Sequence, residues 1–302
     1  MGYSLYDTKA RALRAEAEGY SQKSLAENFR QRSMHQDMDP RNVKFRECRD
    51  SENHPFSLPV QIYLDVTGSM GAVPQQLITE GLPKMISNLL NKGIKSPAIM
   101  FGAVGDHECD KAPLQVSQFE SGDEELDGWL SKTWIEGGGG GNSGESYGLA
   151  WYFAGHHVVS DAWEKRNQKG YVFTIGDEPN LQQYPGVWGS TGRGLEKIMG
   201  SAYEGERRGY SASELLAKAK ERNYVYHIFI THGYSSRDEW VDGWKMRMGS
   251  QNVLVAQSHT EIPDLIFKTI LSHEGALQKA EGQAQLEKIL KEEQKEQEEI
   301  IL

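Results

Sequence analysis

Gln61-Ile62-Tyr63-Leu64-Asp65-Val66-Thr67-Gly68-Ser69-Met70 decides how the rest of the chain is read. Its first half is a short apolar run with the composition of a buried strand, and it ends on a carboxylate. Two hydroxyls follow at alternate positions around Gly68, before a helical pattern opens. In an open α/β sheet, ligands gather outside the carboxyl ends of the strands, which is where Asp65 falls. One carboxylate and two hydroxyls on a tight turn are hard oxygen donors, suited to Mg²⁺ or Mn²⁺. Capping of the following helix by Thr67 or Ser69 explains the same residues, and on this stretch alone the two explanations weigh equally.

Two further segments favour the cation. The apolar run Tyr171–Ile175 leads into Gly176-Asp177-Glu178-Pro179, putting a second aspartate at a strand's carboxyl end. Between the two, Glu136 to Tyr147 reads EGGGGGNSGESY, a glycine run that closes on small polar residues and then opens a helix. Three loops carrying oxygen donors at strand ends or helix starts can converge on one ion. Further out, short apolar runs predict strands at Val60–Asp65, Ala98–Val104, Leu114–Phe119, Tyr171–Ile175, Tyr224–Ile230 and Val253–Ala256. Helical patterns lie between them at Gln75–Asn91, Glu124–Lys132, Glu145–His157, Ala212–Arg222 and Ile262–His273. This alternation predicts an α/β fold with a doubly wound, mainly parallel six-stranded sheet flanked by helices. Pro179–Tyr210 is Gly-, Ser- and Arg-rich and long for a connector, so an ordered functional loop or an insertion is expected there.

In the order of these motifs the sequence resembles the von Willebrand factor type A family in its bacterial and phage form. That family has a Rossmann-like fold, and its metal-ion-dependent adhesion site uses a DxSxS or DxTxS turn, a threonine-type loop and a later aspartate. Asp65, Thr67 and Ser69 match the first element, Gly68 included, and Asp177 looks like the third. For the second, the family places Thr or Asp after a glycine pair, whereas here Asn142 or Ser143 follows Gly137–Gly141. The distance to Leu149 on the next helix carries the role to Ser143, with Asn142 as its substitute. Phe101 to His107 stands where bacterial relatives carry an apolar strand and an Asp-His pair, which puts Asp106 and His107 on the rim of the site, with Glu145 and Glu178. The resemblance covers Leu58 to His273.

Composition narrows the classes. In 302 residues, Lys and Arg total 33 and Asp and Glu total 43, a formal net charge of −10. Neither nucleic-acid phosphates nor anionic lipid reward that balance, so neither partner is expected. Cys48 and Cys109 are too few for a disulfide framework, and His107 with Cys109 and Asp110 lacks the further ligands of a transition-metal site. Gly137–Gly141 is no P-loop, since no Gly-Lys-Ser/Thr follows, and Ser143 does not sit in a G-x-S-x-G elbow. Trp129, Trp134, Trp151 and Trp163 are expected to pack in the core. Residues 1–57 read as a polar arm, helical over Thr8–Phe29; 58–273 as the sheet domain; and 274–302 as a charged helical tail with a thin stripe of Leu277, Ala280, Ala284, Ile289 and Leu290. Without an apolar leader or a stretch of membrane-spanning length, a cytoplasmic location is expected.

The leading functional expectation is a binding module and not an enzyme: an adaptor or scaffold whose Mg²⁺ (or Mn²⁺), held by Asp65, Thr67, Ser69, Ser143 and Asp177, takes an Asp or Glu carboxylate from a protein partner. One alternative is a haloacid-dehalogenase-like phosphatase with Asp65 as nucleophile and Asp177 on Mg²⁺, although that family places a second Asp where this chain has Thr67. The other is a structural subunit whose metal site has degenerated.

Overall fold

A computed structural model of the chain describes residues 4–71, 73–94, 96–137, 144–187, 194–232 and 237–275. The strands are β1 (Arg46–Cys48), β2 (Leu58–Asp65), β3 (Pro97–Val104), β4 (Leu114–Val116), β5 (Val158–Ser160), β6 (Gly170–Gly176), β7 (Gln183–Tyr184), β8 (Tyr210–Ser211), β9 (Asn223–Ile230) and β10 (Val253–Ala256). The helices are α1 (Thr8–Glu18), α2 (Leu25–Asn28), α3 (Val73–Gln76), α4 (Leu82–Asn91), α5 (Asp123–Ser131), α6 (Gly148–His156), α7 (Asp161–Arg166), α8 (Leu195–Met199), α9 (Ala212–Arg222), α10 (Asp238–Met248) and α11 (262–275).

All six predicted strands join one sheet, in the order β10-β9-β6-β2-β3-β4, parallel except for the antiparallel edge strand β4. The expected doubly wound α/β fold is borne out. Every residue of β2, β3 and β6 is buried, which is why these strands read as continuous apolar runs and not as alternations. The chain enters at the centre in β2, winds outward through β3 to β4, then returns across β2 to β6. The topological switch point therefore lies between β2 and β6. Leu64 pairs with Ile175, so the chain leaves these two strands side by side, at Asp65 on one and Asp177 on the other.

Alternate residues of the strands feed two cores. On one face Tyr63, Met100, Val172 and Phe229 pack with α6, α9 and α10 through Trp151, Leu215 and Trp244. On the other, Ile62, Phe101, Phe173 and Ile228 pack with α4, α5 and α11 through Met85, Leu89, Leu126 and Ile266. Of the four tryptophans expected in the core, only Trp151 is fully buried; Trp129, Trp134 and Trp163 are half-buried. Trp129 keeps its indole N–H on Glu120 and lies under Lys132, so it packs at the edge and not in the middle.

The helix expected over Gln75–Asn91 is broken into α3, a π-turn at Leu77–Gly81 and α4. Pro83 has no N–H to give the carbonyl of Thr79, four residues back, and its ring crowds that carbonyl. Arg11 of α1 supplies the missing donor, its Nη1 lying 3.0 Å from the Thr79 oxygen. Arg11 and Arg14 also bridge to Asp123 and Asp127 at the start of α5, which seats the N-terminal segment on the sheet domain. The expected helix Thr8–Phe29 stops early because Gly19 takes a left-handed conformation (φ 65°) that closes α1. Further along, β1 adds in parallel to β5 outside the main sheet. Pro179–Tyr210 contains β7 and α8, and β7 closes on β8 as a small antiparallel pair. Of the expected C-terminal tail, 276–302 lie outside the described residues.

Candidate metal centre

Asp65, the last residue of β2, is fully buried, and both of its carboxylate oxygens are engaged. Oδ1 accepts the Thr67 amide at 2.8 Å and the Thr67 hydroxyl at 2.6 Å, and Oδ2 accepts the Tyr147 hydroxyl at 2.8 Å. Burial pushes its pKa up to about 7; the hydrogen bonds from Thr67 and Tyr147 pull the other way, and the charge of Asp177 adds to the rise. The Thr67 and Ser69 hydroxyls are 3.4 Å apart on a single 3₁₀ turn, Gly68–Met70. Thr67 makes no side-chain capping bond to the turn it precedes, and the Ser69 hydroxyl is turned to Asp177.

Asp177 follows β6 directly and is also fully buried. Its Oδ1 accepts the Ser69 hydroxyl at 2.8 Å, so the two strand-end loops are stitched together. Its other side is held by residues the sequence did not single out. Arg237 Nη1 donates to Asp177 Oδ2 at 2.7 Å and to its backbone oxygen at 2.9 Å, and His232 Nε2 lies 3.3 Å from the same Oδ2. Asp65, Thr67, Ser69 and Asp177 are thus together at the switch point. Asn142 and Ser143 lie outside the described residues.

Asp106 and His107, expected on the rim, lie beneath the surface at 1% and 2% exposure. His107 Nδ1 is 2.7 Å from the Ser146 hydroxyl and its ring packs on Tyr184; burial, against the pull of Asp106 and Glu108, lowers its pKa. Asp106 Oδ1 receives the Glu108 amide, whereas its Oδ2 is buried with no partner. Glu178 is half-buried on the rim, its pKa raised by burial and by Asp177.

Glu145 departs most from expectation. It was read as the first turn of a helix, but α6 begins only at Gly148. Its backbone instead pairs with the loop after β6: its amide reaches Pro179 O at 2.8 Å, and its oxygen accepts the Leu181 amide at 3.0 Å. The side chain is 6% exposed, and Oε2 is buried without a hydrogen-bond partner. Burial first, then the charges of Asp65, Asp106, Asp110 and Glu178, push its pKa up to about 9.

Among the described residues, no three His, Cys, Asp or Glu side chains converge closely enough to hold a metal by themselves. Hydroxyls must complete any ligand set, and Thr67 and Ser69 are placed to do so. The donors present, two fully buried carboxylates and two hydroxyls, together with two unpartnered carboxylate oxygens nearby, fit a hard divalent cation with water in its shell. Tyr147, Arg237 and His232 escaped the sequence reading. Tyr147 stands 82 residues from Asp65 and Arg237 stands 60 residues from Asp177, so neither pairing shows in local sequence.

The architecture is von Willebrand A-like: a doubly wound sheet with its oxygen donors at the switch point. No family model and no curated protein matches the chain. Similar solved structures include the pilus adhesin SpaC of Lactobacillus rhamnosus GG, with 12% identity over 76% of this chain and 31% of the adhesin at a TM-score of 0.47. Proximal thread matrix protein 1 of the mussel byssus gives 12% identity over 74% of this chain and 48% of that one, TM-score 0.46. The vWF domain of the type V pili tip protein Mfa5 of Porphyromonas gingivalis gives 14% identity over 71% and 95%, TM-score 0.42. The chain thus spans about a third of the adhesin and about half of the mussel protein. These are likenesses of outline and carry nothing about the residues of the site. No helix among the described residues is long and apolar enough to cross a membrane.

Proposed function

We propose that the chain is a divalent-cation-dependent protein-binding module, an adaptor or scaffold that captures an acidic side chain of a protein partner. The observation that supports this reading is the convergence of Asp65, Thr67, Ser69 and Asp177 at the carboxyl ends of adjacent strands, at the point where the chain reverses its winding. Asp65 and the two hydroxyls would hold Mg²⁺ or Mn²⁺, with Ser143 or Asn142 and Asp177 completing the set. The ion supplies a positive centre with an open position for the partner's Asp or Glu oxygen. The protein's own groups fix the donors: Tyr147 and Thr67 hold the Asp65 carboxylate from both sides, while Asp177 orients Ser69. A phosphatase draws no support from the turn, where Thr67 stands in place of that family's second aspartate.

Calorimetric titration of Mg²⁺ and Mn²⁺ into the wild type and Asp65→Ala tests the proposal, alongside turnover of a generic phosphomonoester. Binding lost in the variant with no turnover in either protein is the expected result. Turnover abolished by Asp65→Ala would replace the adhesion-type reading with the phosphatase. Absence of both binding and turnover would point to a degenerate structural subunit.

A further inference from the structure

Glu145 heads a three-residue segment that is tied to all three loops leaving the central strands. Its own backbone bonds Pro179 and Leu181, just beyond Asp177. The next residue, Ser146, donates its amide to the Gly105 oxygen at 3.2 Å, and its hydroxyl accepts the His107 amide at 2.9 Å, which fixes it to the loop after β3. One residue further, Tyr147 donates to Asp65 at the end of β2. Gly144 makes the approach possible: at φ +154° it lies 2.9 Å, measured from an added Cβ, from the Pro179 oxygen, so any side chain would push the segment off. The chain spends three consecutive residues pinning this segment, yet the side chain at its head has no partner on Oε2.

The groups around that oxygen are acids: Asp65, Asp106, Asp110 and Glu178. Arg237 is committed to Asp177, and His232 lies 3.3 Å from the same carboxylate. A carboxylate nine-tenths buried among like charges, with one oxygen lacking a donor, is unfavourable unless it carries a proton or meets a cation. A second orphan, Asp106 Oδ2, belongs to the loop that Ser146 grips. Two unpartnered carboxylate oxygens, Glu145 Oε2 and Asp106 Oδ2, thus lie on segments bonded directly to the loops that carry Asp65 and Asp177.

We propose that Glu145 is a direct ligand of the cation, supplying through Oε2 the contact that the family resemblance assigns to the residue after the glycine run. This rests on the divalent-cation reading above and changes its donor set. Asp65 and Glu145 supply the two carboxylates, Thr67 and Ser69 the hydroxyls, and Asp106 accepts from water in the ion's shell. Asp177 acts through Ser69 and not on the ion itself.

The test is calorimetry with MgCl₂ and MnCl₂ on the full chain, with melting temperatures in EDTA and in excess Mg²⁺ for each protein. Glu145→Gln is expected to lose at least about 10-fold in affinity, the scale of losing a group that sets a metal ligand. Its melting temperature in EDTA should equal or exceed that of the wild type, because a buried unpaired acid has become a neutral amide. Its Mg²⁺-dependent rise should shrink. Glu145→Asp keeps the charge but retracts it by one methylene, and it should also lose affinity, which separates contact from field. Ser143→Ala and Asn142→Ala should stay within about threefold of wild type, a difference well under one tenfold step. Wild-type affinity in Glu145→Gln or Glu145→Asp, or a loss confined to Ser143→Ala, would overturn the assignment while leaving the site itself intact. Wild-type affinity in Asp65→Ala would instead remove the cation reading on which it rests.

Discussion

Replacing Gly176 by alanine probes the joint between the strand end and the carboxylate it supports. Gly176 closes β6, where any residue can adopt the extended backbone, so only space restricts it. A Cβ there would lie 1.8 Å from Tyr147 Oη, 2.6 Å from Cζ and 2.8 Å from Cε1. These contacts are too short to survive, so one of the two groups must move. Tyr147 is fully buried, with His227 and Trp244 ring centroids 5.0 and 5.4 Å away, and its hydroxyl is committed to Asp65. Overpacking of this kind costs about 1–3 kcal/mol. Withdrawing the hydroxyl from an ionised carboxylate costs about a further 1.5–3 kcal/mol. Because one movement produces both effects, they overlap, and a total near 3–4 kcal/mol is expected. Urea unfolding of Gly176→Ala in EDTA should show a lower midpoint at an unchanged slope. Tyr147→Phe should carry only the hydrogen-bond part, and the double variant should fall well short of the sum. A Gly176→Ala protein within about 0.5 kcal/mol of wild type, the range of an ordinary surface change, would mean that Tyr147 does not support Asp65 as described.

Arg237→Met removes the two hydrogen bonds that Nη1 gives to Asp177 and leaves its fully buried carboxylate with the Ser69 hydroxyl; a loss of up to about 3 kcal/mol is expected by thermal melting, less in saturating Mg²⁺. Arg11→Ala leaves the Thr79 carbonyl without the donor that Pro83 cannot provide and breaks the pair with Asp127, so limited trypsin digestion should cut within the first 30 residues sooner than in wild type, with the rest of the chain resistant. Burial opposes ionisation of Asp161, but Lys165, the Asp50 amide and Arg49 outweigh it and bring the pKa down to about 2. A depressed carboxylate stabilises the fold above its unfolded pKa of about 3.9, and that contribution is lost as pH falls toward 2. Asp161→Asn should therefore be less stable than wild type at pH 7, with the difference vanishing near pH 2 in a series of melts.

Legibility in the sequence followed the range of the interaction. Five of the six sheet strands were readable because each is buried along its length or nearly so, and a continuous apolar run between polar breaks records that burial locally; the edge strand β10 is only half-buried at its centre but keeps the apolar run. Asp65 and Asp177 were readable for the same reason, since each ends such a run. α10 was missed, although Val241, Trp244 and Met248 repeat at helical spacing; Asp238, Glu239, Asp242, Lys245 and Arg247 around them obscure the stripe. Glu145 was assigned to a helix because Glu145–His157 is helix-compatible throughout, and what holds Glu145 out of α6, which starts only at Gly148, is its pairing with Asn180, thirty-odd residues away. Arg237 left no local trace at all. Its role follows from where the turn after β9 places it beside β6, a fact of strand order and not of pattern.

The charge balance of the donors bears on which partner the site takes. Asp177 spends Oδ1 on Ser69 and Oδ2 on Arg237, so a guanidinium already meets its charge. With Asp65 and Glu145 on the ion, two carboxylates face a dication and no formal charge remains to attract a partner. With Gln at 145, one unit of positive charge remains, in surroundings where charges are poorly screened. Acetate, the simplest stand-in for a partner's side chain, should therefore bind the Mn²⁺-saturated Glu145→Gln chain more tightly than the Mn²⁺-saturated wild type, even though the variant holds Mn²⁺ less tightly. The two affinities move in opposite directions because the same carboxylate serves the ion and shields it. Calorimetric titration of acetate into both proteins at saturating Mn²⁺ measures the difference. Equal or weaker acetate binding by the variant would show that Glu145 does not share the ion's charge.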